Sequence, residues 1–281
     1  MISFKLLGTL EAMNGNSTVT PTAPRMLNTL ALLLVRADHV VPVDTIVQEL
    51  WGEYPPRSAA TTAQTYIYQL RRWMDEVFST DGNDLLITRP PGYVLRVAPE
   101  QIDLTDFDRL VTTSQVLMRD GRVQEAATDL RAALSLWSGS PLANIRLGNI
   151  LEGHAAELEE RRHRALDLRI EADIRLGRYH ELIAELRSLV ATNPYNEWYH
   201  SVLVSALARV GRRSDALDAF ARARRILCQD LGLDPSTELC RIRDAVLKGA
   251  ENPLPNSVTY TTAKELSRSP EIHPQRSREA R

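Results

Sequence analysis

The sequence predicts a mainly α chain: a small N-terminal α+β block followed by an all-α block of repeated helices. Two observations carry this. Up to about residue 98, short alternating apolar runs and Gly/Pro turns are interleaved with helical patterns, whereas from Asp103 the chain is nearly continuous amphipathic helix. Within that second stretch Gly121-Arg122, Gly177-Arg178 and Gly211-Arg212 each interrupt one helical pattern and precede another. The last two breaks lie 211 − 177 = 34 residues apart, the tetratricopeptide period of stacked helix pairs.

Taken in order, Ile2, Phe4 and Leu6 alternate and, with Leu10 and Val19, predict short strands around an Asn14-Gly15-Asn16 turn. Pro24 suits a first helical position, and Leu27, Leu30, Leu33 and Leu34 follow at helical spacing. Residues 40–43 read as a short extended segment. Asp44 is placed to cap a helix over 45–51 with Ile46, Val47 and Leu50 inward, which Gly52 and Pro55-Pro56 end. A longer helix runs from Ser58 to Asp75, and after a polar break a two-stranded hairpin closes at Pro90-Pro91-Gly92. The second block reads as helices over 104–119, 123–136, 151–176, 179–192, 197–210, 214–231 and 236–247, with Asn193-Pro194 as an inter-repeat turn. The expected domain limits are 1–98 and 99–250, with 251–281 a disordered tail poor in large apolar residues.

The helix over 58–75 and its hairpin carry the functional signal. At about 100° per residue, Ala63, Ile67, Leu70 and Met74 fall on one narrow face, and Thr61, Thr65, Tyr68, Gln69 and Arg72 on the other. Hydroxyls, an amide and a guanidinium with few carboxylates suit base edges and phosphates better than bulk water alone. Tyr66 and Trp73 are expected to pack into the domain. Arg71 lies near the buried edge and is placed to clamp a phosphate or a carboxylate. Arg89 and Arg96 flank the hairpin turn, while Tyr93 and Val94 lead the chain back to the core. Two supporting helices, this helix and a hairpin in that order describe a winged helix-turn-helix, with Arg25 at the first helix start as a further phosphate contact.

Composition narrows the remaining options. Apolar content of 43% and charged content of 25% are ordinary for a globular protein, and the formal net charge of −2 gives no global basic field. Any phosphate footprint is therefore a local patch. Cys228 and Cys240 make no disulfide framework and read as small buried residues of a reducing compartment. The N-terminus shows no cleavable signal, and the apolar run 30–35 is too short to span a bilayer, so a cytoplasmic protein without membrane contact is expected. No metal-protease, nucleophile-elbow or phosphate-loop motif occurs, and His154 and His163 lack ligand spacing. No catalytic residue, cofactor or metal is expected. Two other classes stay open: a helical-repeat adaptor whose winged domain binds protein, and a ligand-gated regulator with an apolar pocket near Trp198 and Tyr199.

Residues 23–52 (APRMLNTLALLLVRADHVVPVDTIVQELWG), 55–72 (PPRSAATTAQTYIYQLRR) and 87–97 (ITRPPGYVLRV) resemble the DNA-binding domain of the Streptomyces antibiotic regulatory proteins, itself similar to the winged helix of OmpR/PhoB-type response regulators. IDLTDFDRLV (102–111), 121–145 and 211–239 resemble the bacterial transcriptional activation domain that accompanies it. The resemblance spans about 2–248. It implies a pathway-specific activator of a secondary-metabolite gene cluster that binds direct repeats near the −35 region. It further implies a homodimer on DNA and contacts with the sigma and alpha subunits of RNA polymerase. Carried onto this chain, base reading falls on Thr62, Thr65, Tyr68 and Gln69, phosphate or base contact on Arg71 and Arg72, and the wing on Arg89 and Tyr93. Larger members add an ATPase and a sensor module; these 281 residues match neither, so control by nucleotide or phosphorylation in cis is not expected.

Overall fold

The computed structural model describes residues 2–78 and 82–249, so the expected tail lies outside the described residues. The chain forms two compact units that divide between Arg178 and Tyr179. The first opens with an antiparallel meander of β1 (Ile2–Lys5), β2 (Glu11–Asn14) and β3 (Ser17–Thr18), turning at Gly15. Helix α1 (Pro24–Val35) starts on the predicted proline and buries every residue from Met26 to Leu34. Strand β4 (Val41–Pro42) leads into α2 (Val43–Trp51). Asp44, the cap expected from sequence, does not cap it: Pro42 holds an extended backbone at the cap position, so the helix begins earlier and Asp44 falls in the first turn. There its carboxylate meets the positive end of the helix dipole.

Helix α3 (Ala59–Phe78) follows, and the polar break after it holds a short helix, α4 (Gly82–Leu85). The hairpin is β5 (Leu86–Arg89) and β6 (Gly92–Leu95), with β4 added on the far side of β6 to give the order β4-β6-β5. Glycine is required at 92 because a Cβ there would meet the carbonyl oxygen of Val41 at 1.9 Å. One core joins these elements: Leu30 and Leu33 of α1, Ile46 and Leu50 of α2, Ile67, Leu70 and Met74 of α3, and Leu86 and Leu95 of the hairpin.

That core does not stop at residue 98. Leu142, Ile145 and Leu151 complete it. They flank the start of α7 (Asn149–Arg175), which follows α5 (Asp103–Arg119) and α6 (Val123–Ser135). Polar side chains staple the same boundary. Asp103 accepts from the amides of Leu6 and Leu7, and burial raises its carboxyl pKa despite those bonds. Asn144 exchanges two hydrogen bonds with the backbone of Leu10. Glu49, 4% exposed, accepts from the amides of Gly148 (2.6 Å), Ile150 and Leu151 (both 3.0 Å), satisfying the otherwise unpaired N-terminus of α7.

The second unit stacks α8 (Tyr179–Thr192), α9 (Glu197–Arg209), α10 (Arg213–Ile226), a π-turn over Leu227–Leu231, and α11 (Thr237–Lys248). Asn196 caps α9 by accepting from the amides of Trp198 and Tyr199. The three Gly-Arg breaks share one geometry across both units. Each glycine has positive φ, and each arginine amide donates to the carbonyl five residues back: Arg122 to Leu117, Arg178 to Asp173, Arg212 to Leu207. This is the left-handed helix stop that an L side chain resists. Cys228 and Cys240 are half-buried rather than buried, and both are free thiols.

Candidate nucleic-acid interface

Helix α3 presents two faces of opposite character. Ala63, Ile67, Leu70 and Met74 are buried, while Thr61, Gln64, Thr65, Tyr68, Gln69 and Arg72 are exposed. Tyr68 is 62% exposed, an aromatic ring held on the outward face among hydrogen-bonding groups. Thr65 donates its hydroxyl proton to the carbonyl of Thr61 (3.0 Å), and the half-buried Thr62 donates to that of Ser58 (2.9 Å). Each hydroxyl oxygen keeps lone pairs with which to accept a further hydrogen bond. Gln69 offers a donor and an acceptor on one amide, the pair that matches adenine in the major groove.

The helix is held by its flanks. On one side Arg71 donates from Nε (2.9 Å) and Nη2 (2.7 Å) to the carbonyl of Leu86, and from Nη2 to Thr88 Oγ1 (2.8 Å). Its guanidinium lies 5.8 Å from the ring centroid of Tyr93, which is itself buried. Arg71 and Tyr93 therefore join the hairpin to α3, and the hairpin's outward cations are Arg89 and Arg96. On the other side Tyr66 stacks on Trp51 with centroids 6.5 Å apart, and Arg25 sits 5.4 Å over the same indole. Trp73 donates to the carbonyl of Val19, so Tyr66 and Trp73 pack into the domain as the sequence suggested. Arg72 makes an exposed pair with Glu76 at 3.2 Å, a weak contact that a phosphate can displace.

Thr61, Thr65, Tyr68, Gln69 and Arg72 thus share one open face, with Thr62 at its edge. Gln64 belongs to that face too; its helical phase beside Thr61 and Tyr68 was the signal for it. In the second unit Tyr199 is buried, while a groove of about 470 Å3 opens beside His200, between α8, α9 and α10. His200 Nε2 donates to the carbonyl of Pro194, and burial holds the imidazole pKa below its ordinary value. Among the described residues no His/Cys/Asp/Glu cluster could hold a metal, and no helix is long and apolar enough to cross a membrane.

Residues 17–95 match the family "Transcriptional regulatory protein, C terminal", and 102–247 match the "Bacterial transcriptional activator domain". The chain is 38% identical over 251 residues to Regulatory protein DnrI of Streptomyces peucetius, covering 88% of this chain and 92% of that one. The chain belongs to the Streptomyces antibiotic regulatory protein family. Regulatory protein AfsR of Streptomyces griseus is 30% identical over 89% of this family member but only 25% of its own length. The solved structure of Mycobacterium tuberculosis EmbR in complex with a low affinity phosphopeptide superposes with a TM-score of 0.82 at 32% identity, over 88% of this chain and 65% of that one. The chain spans a quarter of AfsR and under two thirds of EmbR. The chain is a DNA-binding transcriptional activator, with a winged helix-turn-helix followed by tetratricopeptide-like helices.

Proposed function

We propose that this chain activates a secondary-metabolite gene cluster, such as an antibiotic cluster, by placing α3 in the major groove of direct repeats near the −35 element. The observation that carries this is the open polar face of α3, rigidly backed by the core and tied to the hairpin through Arg71. Thr61, Thr62, Thr65, Tyr68 and Gln69 read bases. Arg72 and Arg89 grip phosphates, Arg71 with Tyr93 fixes the wing against α3, and Arg25 grips the backbone on the other flank. Direct repeats call for head-to-tail protomers, hence a dimer on DNA without two-fold symmetry across the site. The helical repeats supply the surface that recruits RNA polymerase through its sigma and alpha subunits. The protein works in the cytoplasm, on the nucleoid, without a catalytic step or cofactor.

The test is a gel-shift of the purified protein on promoter fragments from its own gene neighbourhood, with excess random DNA and a salt series. A specific complex is expected, weakening steeply with salt because each neutralised phosphate adds roughly −0.9 to the log–log slope. Gln69→Ala should relax preference at one or two base pairs, whereas Arg72→Ala should weaken specific and random DNA alike. Equal losses on both DNAs for both variants would refute this division of roles. Absence of any specific complex from folded protein would sink the reading and favour an adaptor.

A further inference from the structure

We propose that Arg146, in the connection between α6 and α7, contacts the DNA backbone together with Arg25, on the flank of α3 opposite the hairpin. The inference rests on the DNA-reading role of α3 argued above and extends the contact surface beyond the winged domain. At about 100° per residue, Gln64 and Arg71 lie on one flank of α3's open face, and Thr62, Tyr66 and Trp73 on the other. The first flank carries the hairpin. The second leads through Tyr66 and Trp51 to a cleft of about 460 Å3 whose lining includes Arg25, Asn28, Glu49, Trp51 and Arg146. A duplex seated on the open face has the hairpin on one side and this cleft on the other.

The cleft is positively charged in effect. Arg25 and Arg146 are exposed, and neither side chain has a hydrogen bond or ion pair among the described residues. The one acid lining it, Glu49, is buried and fully engaged by the three amides at the start of α7. Elsewhere in the helical part of this unit most arginines are neutralised, such as Arg122 by Glu125, Arg161 by Asp108 and Glu157, and Arg175 by Glu171, while Arg119 is exposed at the end of α5. Arg146 departs from that habit.

Its backbone is also held in place. The Arg146 carbonyl accepts from Asn28 Nδ2 at 2.6 Å, and Asn28 is on α1, the helix of Arg25. Two residues earlier Asn144 is bonded to both backbone groups of Leu10. Two residues before that, Leu142 keeps a left-handed backbone (φ 57°) while buried in the core, a conformation costing about 1 kcal/mol or more that only surrounding contacts maintain. A loop pinned this tightly presents its one arginine to the winged domain's flank at little further cost in order. A phosphate is the partner that suits two free guanidiniums facing one cleft.

The experiment repeats the salt-series binding measurement, on specific and on random DNA, with Arg146→Ala, Arg146→Glu and Arg146→Lys, and with Arg119→Ala as an exposed-charge control. Arg146→Ala should weaken both DNAs equally and make the log–log salt slope shallower by about 1. Arg146→Glu should bind more weakly still, Arg146→Lys should recover most of the loss, and Arg119→Ala should match wild type. Thermal unfolding should be unchanged in all four, since only an exposed side chain is altered. An Arg146→Ala protein with wild-type affinity and slope, while Arg72→Ala is impaired, overturns this proposal alone. Wild-type protein that binds no DNA specifically overturns the α3 reading instead.

Discussion

Most arginines in the helical stretch 103–178 and most in the winged stretch before it live in different company. In the first, Asp173 is 2% exposed and gathers Arg131, Arg169 and Arg178 around one carboxylate, while Arg122, Arg161 and Arg175 pair with acids on the surface. In the second, Arg25, Arg57, Arg89 and Arg96 are exposed without an acid partner among the described residues. A formal net charge of −2 conceals this segregation, because it sums paired and unpaired cations alike. What matters for a phosphate footprint is the unpaired subset and its placement around α3. In the first region most arginines build the fold, Arg119 and Arg146 apart; in the second most are left for a ligand, Arg71 apart.

The comparison breaks first at Asp173. Replacing it by alanine removes the shared acceptor and leaves a buried Arg169 beside two other guanidiniums. The expected loss is about 3–5 kcal/mol in chemical denaturation. A loss below about 1 kcal/mol would mean that these arginines are well solvated and that the contrast is false. DNA affinity of the folded fraction should stay near wild type.

Arg71 tests the comparison from the other side, since it lies in the winged stretch yet is used as the helical arginines are. Arg71→Ala frees the carbonyl of Leu86 and the Tyr93 ring face, at an expected cost of about 1–3 kcal/mol. It should weaken DNA binding mainly by loosening the hairpin, so Arg71→Lys, which cannot reproduce the forked contact, should recover little. Full recovery by lysine would make Arg71 a plain phosphate contact instead.

These cases also mark what the sequence discloses. The open face of α3 was legible because its period is local: every fourth or third residue from Ala63 to Met74 faces inward, which places Thr61, Thr65, Tyr68, Gln69 and Arg72 outward. The Gly-Arg stops were legible for the same reason, each being settled within six residues of chain. Arg71 was ambiguous, since its position near the buried edge does not say whether a phosphate or the hairpin takes its fork. The engagement of Tyr93 with it depends on a pairing 22 residues away, 93 − 71. Glu49 was invisible as a helix cap because its amides lie 99 to 102 residues further on. The same distance hides Arg146, whose neighbours in the cleft come from α1 and α2. Local periodicity predicts which way a side chain points; it does not predict what another segment brings to meet it.

The smallest expected effect sharpens the contrast most. Arg89 is exposed at the end of β5, and its side chain makes no hydrogen bond or ion pair among the described residues. Arg89→Ala should therefore change unfolding free energy by less than about 0.5 kcal/mol, as surface substitutions without partners do. Its effect belongs to DNA binding, where one lost phosphate contact flattens the log–log salt slope by about 1 and weakens specific and random sequences together. Thermal unfolding and the salt series on the same protein sample separate the two quantities. A variant that loses stability but keeps its slope would place Arg89 with Arg71 among the structural arginines, and the winged stretch would then grip phosphate through Arg72 and the Arg25 side of α3.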